Sequence, residues 1–162
     1  MACWHSLTDK RKLGLFMADE AQQQFGIQRI YVKDVSFESP QGVALFNKQI
    51  KPSIEQELST AVTTVAEDHY EVVLTVTVTA KEAEQVLFLV EVQQAGIFGA
   101  RGFSEEQLRK VTTVNCPTIL FPYARQLIDS LLQQASLPPL LLPPVNFDVL
   151  LQQSAQDAVT TH

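Results

Sequence analysis

Side chains alternate along a β-strand, so the pattern of apolar and polar positions reports which faces are covered. Residues 86–98, VLFLVEVQQAGIF, place Val86, Phe88, Val90, Val92 and Gln94 on one face and Leu87, Leu89, Glu91 and Gln93 on the other. A sheet with one solvated face reads apolar inward and polar outward. This strand departs from that rule, so each of its faces calls for a partner. Residues 70–80, YEVVLTVTVTA, alternate more cleanly, with Val72, Leu74, Val76 and Val78 on one side and Thr75, Thr77 and Thr79 on the other. Lys81-Glu82-Ala83-Glu84 closes a hairpin between these two strands. Residues 27–38, IQRIYVKDVSFE, form an earlier strand of β-branched and aromatic character, ended by Pro40 and Gly42. Residues 54–66, IEQELSTAVTTVA, read as a strand, although helical spacing also fits them; Glu67-Asp68-His69 then makes a turn. The connection 41–53 is longer than a hairpin needs. It carries Phe46, Ile50 and Pro52, so it lies over something or receives something.

After Gly99 the period becomes helical. Ser104-Glu-Glu-Gln107 resembles a capping box. The segment from there to Ala135 reads as helix, with a break or kink expected at Pro117 and Pro122. Beyond Pro122, Tyr123, Leu127, Ile128, Leu131 and Leu132 share one face. LPPLLLPPVNF, 137–147, is a stiff extended connector, and Asn146 can cap a short final helix, FDVLLQQ. Strands followed by helices predict an α+β layered domain. The tail 154–162 has little to bury and reads as mobile.

Composition narrows the function. The chain has 162 residues, 46% of them apolar, enough for one globular domain with a sizeable core. Eighteen acidic against twelve basic residues, a formal charge of −6, argue against nucleic acid and permit a basic partner. No apolar run is long enough to span a bilayer, and the start has no signal-peptide pattern. Composition changes abruptly at Met17, so residues 1–16 are expected to be an upstream extension. Losing their three basic residues and Asp9 takes the formal charge from −6 to −8. The functional domain is then 17–153.

Catalytic constellations are missing. His5, His69 and His162 have no metal-binding spacing, and Cys3 and Cys116 form no metal motif or disulfide framework. There is no nucleophile elbow, P-loop or dinucleotide fingerprint. Gly96, Gly99 and Gly102 are spaced GxxGxxG and read as a loop between sheet and helix. Asp34 and Glu38, four residues apart on a strand, lie roughly 13 Å from each other, too far to share a proton. By themselves they mark a solvated face. A small-ligand enzyme would need converging titratable residues, and none can be assembled from this sequence.

Five stretches carry a resemblance: IQRIYVKDVSFESP at 27–40, YEVVLTVTVTA at 70–80, EVQQAGIF at 91–98, NCPTILFPYARQ at 115–126 and PPVNFDVLLQQ at 143–153. In this order they resemble the SecB family of bacterial export chaperones, over essentially everything from Phe25 to Gln153. The resemblance implies a four-stranded antiparallel sheet with two helices on one side, assembled as a dimer of dimers. It implies a cytoplasmic, non-catalytic protein without cofactor. Such a protein holds precursor proteins unfolded and delivers them to the SecA ATPase, whose basic tail carries any zinc involved.

It also implies residue roles. Val90, Val92 and Gln94 match the face turned toward helices and the tetramer interface. Asp34, Glu38, Leu89 and Glu91 match the SecA-binding face, with the C-terminal tail as a further candidate contact. Phe46, Ile50, Ile54 and Leu58 would form one wall of an apolar client groove, and Leu140, Leu142, Phe147 and Leu151 the other. The family commonly carries tryptophan at the position of Ile50, so the aromatic subsite here loses ring area and an indole donor. SecB-like chaperones that protect antitoxins are the neighbouring alternative.

Overall fold

The computed structural model describes residues 22–47 and 51–159. Four strands, β1 (Gln24–Glu38), β2 (Ser53–Ala66), β3 (His69–Glu82) and β4 (Gln85–Arg101), form one antiparallel sheet in the order β1-β4-β3-β2. The expected extension 1–16 lies outside the described residues. Segment 54–66, which also fitted a helix, is strand. Pairing decides this: Leu58 sits opposite Val76 and Val62 opposite Val72 along a continuous ladder.

The connection between β1 and β2 is long for a geometric reason. The two strands are opposite edges of the sheet, with β3 and β4 between them. Crossing three inter-strand spacings requires about 14 Å of chain. A 3-10 turn, Gly42–Asn47, occupies part of that crossing. The two hairpins close tightly, with left-handed residues at Asp68 (φ 57°) and Ala83 (φ 52°).

Helix follows strand at Ser104, whose side chain accepts from Gln107 N at 3.3 Å while Gln107 Oε1 accepts from Ser104 N at 3.0 Å. One rod then runs through α1 (Glu105–Lys110), a five-residue π segment (Val111–Asn115) and α2 (Cys116–Gln134). The expected break at Pro117 takes the form of that wider turn. Pro117 has no N–H and its ring crowds the carbonyl four residues back. The loosened turn is stitched by threonines: Thr112 Oγ1 donates to Leu108 O (2.9 Å), Thr113 Oγ1 to Arg109 O (2.7 Å) and Thr118 Oγ1 to Val114 O (2.7 Å). The helix continues through Pro122. Helix α3 (Phe147–Val159) is capped by Asn146, whose Oδ1 accepts from Asp148 N (3.1 Å) and Val149 N (3.3 Å). Its backbone stays helical six residues beyond Gln153, where the sequence reading placed the start of the tail.

The core lies between the inner face of the sheet and α2. Val72, Leu74, Val76, Val78, Val90 and Val92 are fully buried against Leu120, Ala124, Ile128 and Leu132. The helix buries a stripe rotated from the expected one: Ala124 turns inward and Tyr123 outward, 49% exposed. Two of the three spaced glycines also differ from expectation. Gly96 and Gly99 belong to β4, and only Gly102 (φ 75°) lies in the loop. A Cβ at Gly96 would meet the Phe98 ring at 2.6 Å and Leu120 Cδ2 at 3.1 Å. Gly96→Ala is therefore expected to cost about 1–3 kcal/mol by overpacking. Thermal melting checks this; an unchanged midpoint would show that Phe98 moves freely.

Candidate functional site: two apolar clefts and an acidic sheet face

The outer face of the sheet is set by register. Glu38 pairs with Leu89, Ser36 with Glu91 and Asp34 with Gln93. Across the next strand Thr79 pairs with Leu89 and Thr77 with Glu91. All four predicted docking residues thus share one face on neighbouring strands, with half-exposed Leu89 beside Glu38 and Glu91. The Thr77 hydroxyl donates to Glu91 Oε2 at 3.2 Å and fixes that carboxylate. Leu87 departs from this face. It is 5% exposed and lines a cleft at the sheet edge, because a register shift follows Ala80.

Sequence reasoning missed two carboxylates here. Glu55 and Glu57 pair with Thr79 and Thr77, extending the acidic face onto β2. Their i, i+2 spacing was the available signal once the strand was established. Lys81 holds Glu55 at 2.7 Å, and its ammonium pKa is raised by that hydrogen bond. The far end of the same face is compensated. Lys33 bonds Glu71 at 2.7 Å and the Tyr31 hydroxyl donates to the same carboxylate. These bonds, Lys33 first, lower the Glu71 pKa, while Glu71 raises that of Tyr31. Negative charge is therefore concentrated toward Glu38, Glu57 and Glu91.

The predicted groove residues separate into two clefts. The first, about 340 Å³, brings Phe46 and Ile54 together with Leu140, alongside Leu45, Leu87 and Leu137. Phe46 is 56% exposed there, so its ring is available to a ligand. The second, about 310 Å³, joins Leu58 to Phe147, Leu150 and Leu151. Leu142 does not line either cleft; it is 5% exposed within the core. Phe147 is also mostly buried, edge-on to Phe121 with ring centroids 6.3 Å apart. Ile50 lies outside the described residues.

The three predicted interface positions sit inside the subunit. Val90 and Val92 are fully buried, and Gln94, 3% exposed, donates to Tyr31 O at 2.8 Å. Val90 and Val92 leave no surface for a second copy to touch, because α2 covers the inner face on which they stand, whereas Gln94 lines the cleft between α2 and edge strand β1. Exposed Tyr123 and Gln126 and half-buried Leu127 and Ser130 border that cleft, about 300 Å³, with Ile30 and Val32 of β1.

Cys116 is buried, and desolvation pushes its thiol up to about 12, so it is an apolar filler at neutral pH. Among the described residues, no group of three or more His, Cys, Asp or Glu side chains could hold a metal ion. No described helix is long and apolar enough to cross a membrane.

A family model described as "SecB: Preprotein translocase subunit SecB" matches residues 18–158. Protein-export protein SecB of Cellvibrio japonicus is 49% identical over 135 residues, spanning 83% of this chain and 81% of the relative. That of Pseudomonas syringae pv. tomato is 45% identical over 150 residues, spanning 93% and 92%. Among solved structures, the Mycobacterium tuberculosis SecB-like chaperone in complex with a ChAD peptide from the HigA1 antitoxin superposes with a TM-score of 0.61. It is 18% identical over 75% of this chain and 88% of that chain, a likeness of fold.

Proposed function

Because this chain belongs to the SecB family of protein-export chaperones, we propose that its two apolar clefts hold unfolded precursor proteins while its acidic sheet face docks the SecA ATPase. The observation that carries this reading is the separation of surfaces. Exposed apolar side chains, led by Phe46 and Ile54, lie at the β2 edge, whereas Glu38, Leu89 and Glu91 lie on the outer face. One partner can therefore be held while another is engaged.

Holding is passive. An unfolded chain offers apolar segments, each contributing about 1.5–3 kcal/mol when buried, before ordering costs. One pair of clefts binds weakly on that account. Four subunits raise avidity by roughly 10²–10⁴ where a single client reaches several. Self-association through the open side of α2 and the β1 edge, into a dimer of dimers, is thus part of the mechanism. Docking joins charge to contact: Asp34, Glu38 and Glu91 attract a cationic segment and Leu89 supplies the short-range apolar contact. The protein acts in the cytoplasm, and nothing in this cycle requires catalysis or a resident cofactor.

Dedication to an antitoxin is the second reading, suggested by the peptide in the mycobacterial complex. The 45–49% identity to export proteins, against 18% to that chaperone, favours general export. Native mass spectrometry with and without an unfolded precursor tests the proposal. The expected spectrum is a tetramer that gains the mass of one precursor. A monomer that ignores the precursor would overturn it.

A further inference from the structure

Gln56 stands between the two clefts. On the inner face of β2 it follows Ile54, which lines the first cleft, and precedes Leu58, which lines the second. Its register partner is the fully buried Val78. Its Nε2 is shut away from solvent and has no hydrogen-bond partner among the described residues. A buried donor without an acceptor is a standing cost, and a leucine of similar size would avoid it.

The connector leads from one cleft to the other. Leu140 borders the first cleft and Phe147 the second, so residues 141–146 pass between them. Leu142 is buried, whereas Leu141 is 89% exposed. Four prolines, at 138, 139, 143 and 144, remove backbone donors from this segment. Insertion of side chains, more than a backbone ladder, holds it down.

We infer that Gln56 is the polar reading position of a continuous client track: when a held polypeptide opens the packing around it, the Gln56 amide N–H bonds a main-chain carbonyl of that polypeptide. This inference rests on the client-holding role proposed above. An extended client is the occupant that fits. Ile54 and Leu58 are four residues apart, roughly 13 Å along a strand, and an extended segment of five residues spans the same length. Its apolar side chains at positions 1 and 5 enter the two clefts. A small residue at position 3 then lets the amide reach the backbone, whose carbonyls have lost water and require donors. The track recognises an apolar-x-small-x-apolar spacing without reading identities further.

The test uses the full chain and two synthetic peptides of that pattern. One is all-amide; in the other the bond after position 3 is an ester, which weakens its carbonyl as an acceptor. Wild type is expected to bind the ester about 3–10-fold more weakly. Gln56→Leu is expected to bind both equally, and to melt at or above the wild-type temperature because the orphan donor is gone. An ester penalty of the same size in wild type and Gln56→Leu overturns the inference. Phe46→Ala and Leu58→Ala separate the two levels of the argument. If neither weakens the all-amide peptide, the clefts are not the client site and the underlying reading fails. If both weaken it while the ester penalty is unchanged by Gln56→Leu, only the role of Gln56 fails.

Discussion

Tyr123→Glu is expected to split the assembly and to lower apparent affinity for an unfolded precursor by roughly 10²–10⁴. Tyr123 projects from α2, 49% exposed, beside Leu127 and the β1 residues Ile30 and Val32. It makes no contribution to the buried stripe formed by Leu120, Ala124, Ile128 and Leu132. A carboxylate there would be desolvated in a self-interface without a partner, a cost of several kcal/mol. The folded subunit leaves it in water. Sedimentation reports the subunit number, and competition with a labelled precursor reports holding. A variant that remains tetrameric would move the interface elsewhere. One that dissociates yet holds clients as tightly as wild type would remove avidity from the mechanism.

The second large effect is expected at the acidic face. Reversing Glu38 and Glu91 together to lysine should weaken docking of a basic SecA tail about 10–100-fold, equivalent to about 1.4–2.8 kcal/mol. Client holding should be unchanged, because both side chains point away from the clefts. Glu38 is exposed and Glu91 half-buried, so the fold tolerates the change, although Thr77 loses its acceptor. Salt provides the internal control. Wild-type docking should fall as ionic strength rises and the double variant should show little dependence. Equal loss of docking and holding would show that the substitutions damage the sheet instead. Glu57 extends the same face and belongs in the series, since it pairs with Thr77 on the strand adjacent to Glu91.

Much of this architecture was legible in the chain because it depends on local chemistry. The alternation Val72, Leu74, Val76, Val78 specifies a strand and its buried side, and the structure leaves all four without solvent exposure. Ser104 and Gln107 specify a helix start, as does Asn146. The shared face of Asp34, Glu38, Leu89 and Glu91 also follows from period two, once β1 and β4 are paired.

What lay beyond the sequence was every feature set by how elements meet. Which side of α2 faces the sheet depends on packing, and a stripe of apolar residues wider than the contact is compatible with more than one rotation. Tyr123 and Ala124 are adjacent, yet one is open and the other wholly buried. Val90 and Val92 read equally well as core or interface, because both require apolar side chains; only the position of α2 above them assigns them to the subunit's own interior. Gly96 looks like loop until the Phe98 ring occupies the space a side chain would need. Gln56 looks like an ordinary polar residue on an edge strand. Its buried amide, unpartnered among the described residues, emerges only in the folded chain, where a cleft forms on either side of it. Periodicity says that a face must be covered; tertiary contact alone decides by what, since burial is a property of the assembled layers and not of any one strand.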